Sequence, residues 1–397
     1  MKTPLIYTCA LRPFYTSDAF FTRDSGLLCR SLQSIGIPAK AIVPEQNPPA
    51  PKREDVIRAD YEKEMKNPEW WKNFNIDAVI FVTWGEKKDT EIINAAKKAG
   101  LIIILVADDG NGKLYSIKEI YTLTLRRHYH LSFFKKHFIT LIKTPLTIGY
   151  YIKLLGLTGN SRYIQYSLAD YLQVINPFIL DNIKQGVKKL KINWNCEFGI
   201  GCSANRINPK PLAKDIHNPI VVCVGLWEKV KHKRPHYLLD VAHELLNQNK
   251  KVHIHVYGKM PEFMHQRWEQ EPNKERLHLH GIVPQDEILT TMSKAQVFFC
   301  PSATDAVPVP VVEALCSGCS VCGGGGMVRW ASAEGYGVCS TGKDNPIEEA
   351  QQINEELGKW ENNHYQASQI AQYWIPHVSS LEIVKNMVTF VTSKTTK

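Results

Sequence analysis

No apolar run in this sequence reaches the ~20 residues a helix needs to cross a bilayer, which excludes a helical membrane-spanning protein. The first residues do not read as a secretion signal either. Only Lys2 precedes "TPLIYTCALRPF", and that short apolar run is broken by Arg12 and Pro13, so a first buried strand is expected there. No low-complexity tract and no internal repeat beyond two similar halves stands out. The ten cysteines fall at irregular places, which argues against a disulfide framework and for free thiols in a reducing cytosol. Acids are almost missing from 113–162. There Lys113, Lys118, Arg126, Arg127, Lys135, Lys136, Lys143, Lys153 and Arg162 face the single acid Glu119, with Tyr115, Tyr121, Tyr129, Phe133, Phe134, Phe138, Tyr150 and Tyr151 among them.

What is present describes a globular protein. The chain has 397 residues, 44% hydrophobic and 22% charged, which is enough for two domains with sizeable cores and excludes general disorder. A net charge of +9 favours anionic partners. Strand-like runs such as "PLIYTCAL", "DAVIFVTW" and "LIIILVAD" alternate with helix-like runs such as "DSGLLCRSLQSIG" and "TEIINAAKKAG". That rhythm is the mark of βαβ units and parallel sheets. It returns after the polar stretch 203–219, with "IVVCVG", "RPHYLLDVAHELLNQ" and "VHIHVYG". The α/β class follows, with residues 1–205 as a first Rossmann-like domain and 206–377 as a second. A C-terminal helix at about 378–397 is expected to pack back on the first. Two such halves place a ligand near the carboxyl ends of their strands, in a crevice between them.

The run "PSATDAVPVPVVEALCSGCSVCGGGG" (301–326) holds two rival sets of groups. Cys316, Cys319 and Cys322 could ligate a metal or cluster, but no fourth ligand stands at a familiar spacing. Locally they straddle a helix end capped by Gly318 and the strand beyond, where small buried thiols are common. Asp305 and Glu313 lie on either side of Pro310, which suits a first helical turn. A helix N-terminus facing a crevice would attract an anion, and the two carboxylates could accept hydrogen bonds from sugar hydroxyls. Alone, a turn residue and a helix-dipole partner explain them equally well.

In context, the sequence resembles the retaining glycosyltransferases of family 4, which have the GT-B fold of two Rossmann-like domains facing a central cleft. Their "P-S-x-x-E-G-F-G-L-P-x-x-E-A-x-x-x-G" run finds Pro301, Ser302, Asp305, Pro310, Glu313, Ala314 and Gly318 in register. Gly225 and Lys233 match the family's strand glycine and phosphate-binding lysine. The resemblance covers about 210–395 well and 1–200 more loosely. Three departures stand out: Asp305 for glutamate, Ala306, Val307 and Pro308 for loop glycines, and Leu226 for the arginine after the strand glycine.

The resemblance implies a hexosyltransferase that moves a sugar from a nucleotide-diphosphate sugar to a glycan or lipid-linked acceptor in polysaccharide biosynthesis. It implies retention of configuration and neither a metal nor any other cofactor. Lys233 would neutralise the departing diphosphate, with Lys229, Lys231 or Arg234 as substitutes for the missing arginine. Glu313 would hold the ribose and Asp305 the donor sugar. Gly225, Val307, Val309, Ile282 and Arg234 would line the donor site. Asp108 and Asp109 in "ADDG", and Arg23 and Gly26 in "TRDSG", are candidates for acceptor or donor-sugar contacts. The family's crevice histidine has no clear equivalent, since "FVTWGE" stands near its place. Arg126, Arg127, Lys135 and Lys136 would form a surface for anionic lipid at the inner face of the membrane of a cytoplasmic protein; nucleic acid has no supporting motif. An epimerase or hydrolase of nucleotide sugars, and a non-catalytic binding module, remain open alternatives. The paired histidines of "VHIHV" and "LHLHG" alternate as half-buried strands do, and Trp70 and Trp71 are expected to pack in the core.

Overall fold

The computed structural model describes residues 3–396 except 14–17, 23, 46–52, 108–115, 156–159, 204–210, 229–232, 303–307 and 341–343. The chain divides into two compact units. The first comprises 1–114, 149–205 and 377–397; the second comprises 115–148 and 206–376.

In the first unit seven strands form one parallel sheet in the order β3-β2-β1-β4-β5-β6-β7. They are β1 (Ile6–Ala10), β2 (Ala41–Pro44), β3 (Val56–Ala59), β4 (Ala78–Thr83), β5 (Ile102–Ala107), β6 (Tyr171–Val174) and β7 (Glu197–Ile200). A parallel sheet covered on both faces needs apolar side chains on both, which is why β4 reads AVIFVT and β5 IIILVA without alternation. β1 pairs with β4 from Ile6↔Ala78 to Ala10↔Val82. The Ser380–Thr395 helix buries Val384, Met387 and Val391 in one core with Leu28 and Leu32 of the Asp24–Ser34 helix. Each such side chain contributes about 2 kcal/mol of transfer free energy. Ser31 Oγ donates to Ser380 Oγ at 2.9 Å within that packing.

The second unit repeats the plan with six parallel strands in the order β10-β9-β8-β11-β12-β13. They are β8 (Ile220–Val224), β9 (His253–Tyr257), β10 (Leu277–Gly281), β11 (Val297–Cys300), β12 (Ser320–Gly323) and β13 (Gly337–Cys339). The order reverses beside β1 in the first sheet and beside β8 in the second. At such points ligands bind at the carboxyl edge.

The segment 115–148 groups with the second unit, although it sits in sequence within the first half. Its Ile117–Arg127 helix opens with a reciprocal cap in which Ser116 and Glu119 satisfy each other's backbone N–H groups. The lone acid of the basic stretch therefore has a local structural task. What ties the segment down is long-range packing. Tyr129 meets Tyr237 at 5.2 Å between ring centroids, and His130 stacks on His236 at 4.6 Å.

Four histidines form two rungs across β9 and β10. His253 Nδ1 lies 3.1 Å from His278 Nε2, and His255 Nδ1 lies 3.0 Å from His280 Nε2. In each rung one imidazole must donate and the other accept, so the rungs stand only while the rings are not both charged. Burial, reinforced by the neighbouring histidines, pulls His255 down to about 3 and lowers His278. Unfolded, these groups titrate near 6.5. Between the two values the unfolded chain binds protons that the fold refuses, so stability rises with pH there. The melting temperature should be flat above about pH 7 and fall as pH drops from 6.5 toward 5, before most carboxylates titrate. Replacing His255 and His278 together by Gln should lessen that fall; an unchanged fall would place its cause elsewhere.

Candidate functional site

At the carboxyl edge of β8 the backbone is held too tightly for side chains. A Cβ on Gly225 would lie 2.9 Å from the Trp227 ring, and one on Gly258 (φ +112°) would lie 1.8 Å from Gly225 O. Trp227 is buried, and its Nε1 donates to Tyr257 O at 2.9 Å. Leu226, where the resemblance expects arginine, is 47% exposed. Ile282 beyond β10 and Val309 at the next helix start are also exposed, so apolar surface recurs along this edge.

Lys233, half-buried, immediately precedes Arg234, which caps the Pro235–Gln248 helix in the left-handed conformation (φ 55°, ψ 57°). That backbone costs a residue with a Cβ roughly 1 kcal/mol. Arg234 is held there from several sides. Its Nη2 lies 2.7 Å from Asp344 Oδ1, its Nη1 donates to Pro301 O at 3.4 Å, and its guanidinium lies 3.9 Å from the Tyr237 ring centroid. Burial pulls its pKa down and Asp344 pulls it back up. Arg126 Nε reaches the same Asp344 oxygen at 3.1 Å.

Glu313 is the fifth residue of the Val309–Cys316 helix and is only 5% exposed. Gln285 Nε2, at the start of the Gln285–Lys294 helix, donates to its Oε1. A buried carboxylate is tolerated only with such partners. The thiols behave differently. Cys316 is pushed up to about 12 by burial and by the Glu313 charge, while Cys319 and Cys322 are raised by full burial. Cys319 Sγ already donates to Met292 O at 3.1 Å. They are protonated packing groups. Among the described residues no group of three or more His, Cys, Asp or Glu is arranged to hold a metal ion.

In the first unit, the carboxyl ends of β1 and β4 carry a charged cluster. Arg12 pairs with Glu86 and lies 3.6 Å over the Trp84 ring. Tyr61 Oη donates to Asp89 at 2.6 Å, and burial raises the Asp89 carboxyl. Gly26 has a packing task, since a Cβ there would lie 2.3 Å from Phe20 O.

Of the sequence candidates, Gly225, Lys233, Arg234, Ile282, Val309 and Glu313 all fall in the second unit, along the carboxyl edge of its sheet. Arg234 is committed to Asp344 and Tyr237. Asp305, Val307, Asp108, Asp109 and Arg23 lie outside the described residues, as do Lys229 and Lys231. Arg126 and Arg127 line a pocket of the second unit, whereas Lys135 is exposed and Lys136 half-buried. Sequence reasoning passed over Gln285 and Asp344; the only local hint of Gln285 was Pro284, marking a helix start.

Residues 205–373, less than half of the chain, match the family described as glycosyl transferases group 1. No curated protein sequence matches the chain. Three solved structures resemble it over nearly their whole lengths. The lipopolysaccharide outer core galactosyltransferase WaaB, in its apo form, aligns with TM-score 0.61 and 13% identity over 98% of this chain and 99% of its own. Sucrose-phosphate synthase from Thermosynechococcus elongatus gives 0.60 and 11%, over 98% and 100%. Anabaena Alr3699/HepE in complex with UDP gives 0.61 and 12%, over 98% and 100%. Likeness at these identities is likeness of fold, and the fold is GT-B, with two Rossmann-like parallel-sheet domains.

The thiol assignment is directly measurable. In native protein at pH 8, iodoacetamide should label the half-buried Cys196, Cys202 and Cys339 well before Cys316, Cys319 and Cys322, read by peptide mass spectrometry. Rapid native labelling of Cys316 would refute a protonated, packed thiol there.

Proposed function

We propose that this protein is a glycosyltransferase that moves a sugar from a nucleotide-diphosphate sugar to a glycan or lipid-linked acceptor. The observation that carries the reading is Glu313. It is a buried carboxylate held by Gln285, at the carboxyl edge of the domain that matches the group 1 family. A carboxylate kept dry and oriented can accept hydrogen bonds from a ribose at little reorganisation cost. Anabaena Alr3699/HepE, which has the same fold, holds UDP in its crystal structure.

The chemistry asked of this chain is the departure of a diphosphate from an oxocarbenium-like sugar. Lys233 lies at the mouth of the Pro235–Gln248 helix, and its ammonium would take up charge as the bond breaks. The N-terminus of the Val309–Cys316 helix adds a favourable dipole. Pro308 and Pro310 have no N–H, so fewer amides there can face an anion. Leu226, Ile282 and Val309 offer apolar contact to a base. Asp305 would hold hydroxyls of the donor sugar. In this reading the configuration is retained, no metal is required, and the donor is a hexose.

The acceptor is proposed to be membrane-linked. The Phe133–Leu155 helix turns Thr140 and Thr144 inward and leaves Phe134 (84% exposed), Phe138, Leu141, Ile142 and Leu146 facing out. Lys135, Lys143 and Lys153 stand among them, and no acid occurs between Glu119 and Asp170. No described helix is long and apolar enough to cross a membrane, so the helix would lie in the interface.

Two measurements test this reading. Lys233→Ala should lower turnover about a hundredfold, and Glu313→Gln should weaken binding of the nucleoside diphosphate at least tenfold. A wild-type rate in Lys233→Ala would move the phosphate contact to another cation. Reversing Lys135 and Lys143 to Glu should weaken co-sedimentation with anionic vesicles by roughly thirtyfold or more, at about 1 kcal/mol per lost lysine. Wild-type protein that ignores such vesicles at low salt would argue for a soluble acceptor.

A further inference from the structure

We infer a second anion site in the second unit, separate from the proposed donor contacts and suited to a phosphate carried on a saccharide. A pocket of about 190 Å³ is lined by Arg126, Arg127 and Arg234, with Tyr129, Tyr237 and Trp227 among its walls. Among the described donor candidates Arg234 alone lines it; Gly225, Lys233, Ile282, Val309 and Glu313 do not.

The charges do not balance. Asp344 is shared by Arg126 and Arg234 through one carboxylate oxygen. The other nearby acids each hold a further partner. Glu228, on the pocket wall, pairs with Lys259 at 2.8 Å, Asp240 pairs with Arg267 at 2.8 Å, and Glu349 is held by Ser340 and Tyr237. Three guanidiniums thus line a pocket whose wall carboxylate Glu228 is paired with Lys259, while Arg126 and Arg234 share Asp344 and feel Glu349 at longer range. Arg234 is 5% exposed, and its Nε has no hydrogen-bond acceptor among the described residues; Arg127 Nε is in the same condition. Buried guanidinium N–H groups without acceptors are costly, and a bidentate oxyanion satisfies them. A third feature concerns what the anion is attached to. His130, His236 and Phe263, all on the pocket wall, stack at 4.6 and 4.0 Å between neighbouring centroids. Burial, helped by His130 and Arg267, pulls His236 down to about 4, so this ring is neutral at neutral pH.

The volume is below the usual range for drug-sized ligands and suits one phosphate with part of a sugar ring. The stacked rings give that sugar an aromatic wall. The pocket stands on its own geometry. Its assignment to an acceptor phosphate rests on the glycosyltransferase reading.

Calorimetric titration at low salt, using inorganic phosphate, glucose 6-phosphate and glucose as probes, separates the possibilities. The titrations are run with and without saturating UDP, ADP or GDP. Glucose 6-phosphate should bind more tightly than phosphate, glucose should not bind, and binding should persist with nucleotide present. Arg127→Gln should weaken it at least tenfold and Arg127→Lys less. Arg234→Gly, which suits the left-handed backbone, should also weaken it at least tenfold, while Lys233→Ala should leave it intact. Full displacement by nucleotide, wild-type affinity in Arg127→Gln, or no binding of either phosphate would overturn the site. Equal affinity for the two phosphates would overturn its saccharide part. If no nucleotide binds, the function proposed above fails, and the phosphate titrations of the arginine variants still decide this pocket.

Discussion

Parallel strands force every strand-to-helix loop to one edge of a sheet, and the proposed chemistry depends on how tightly that edge is held in the second unit. Gly225, Gly258 and Trp227 bring the ends of β8 and β9 so close that no side chain fits between them. The same occurs at Gly323, where a Cβ would sit 2.1 Å from Cys300 O. Three helices start at this edge with proline in the first turn: Pro235, Pro310 and Pro346. A proline there fixes φ and removes an N–H that the helix would not have used. Entry angles are thus set by covalent geometry, and the side chains just before or after each entry inherit fixed positions. Lys233, Arg234 and Glu313 are those side chains.

Arg234 shows what this rigidity permits. An arginine in a left-handed cap, nearly out of contact with water, would be untenable alone. Asp344 on one side and the Tyr237 ring on the other make it tenable. Removing one partner of a buried pair typically costs 3–5 kcal/mol, because the remaining charge is stranded. Since Arg126 leans on the same carboxylate, the segment 115–148 is bound to the second unit by charge as well as by aromatic packing. Asp344 serves two cations with Glu349 contributing charge at longer range, and Arg127 adds a third guanidinium.

The two sheets were readable from the sequence because strands buried on both faces must be apolar throughout, as in IIILVA and AVIFVT. Glu313 and Lys233 could be singled out because the motif that places them runs along the chain itself, from Pro310 and Gly225. Gln285 was not, since its partner lies 28 residues away and nothing local marks the pairing. The placement of 115–148 was hidden for the same reason. A tyrosine–tyrosine contact and a histidine stack carry no periodic signature. Gly26, a candidate for acceptor or donor-sugar contact, also has a packing reason to be glycine, since a Cβ there would lie 2.3 Å from Phe20 O. A glycine reports that space is short without saying what takes it up.

The basic segment sorts its cations by chemistry. Arg126 and Arg127 turn into the second unit, and Lys135, Lys143 and Lys153 stay outside among exposed Phe134, Phe138 and Leu146. A guanidinium is weakly hydrated, planar and able to stack, so it loses less on leaving water and gains more from a fixed carboxylate or ring. An ammonium is strongly hydrated and keeps its charge in water at the end of a flexible stem. Composition alone makes the stretch one continuous band of positive charge. Its helices divide that band between inward-facing guanidiniums and outward ammoniums. Exchanging Arg and Lys along the segment would leave the net charge of +9 unchanged and undo both arrangements.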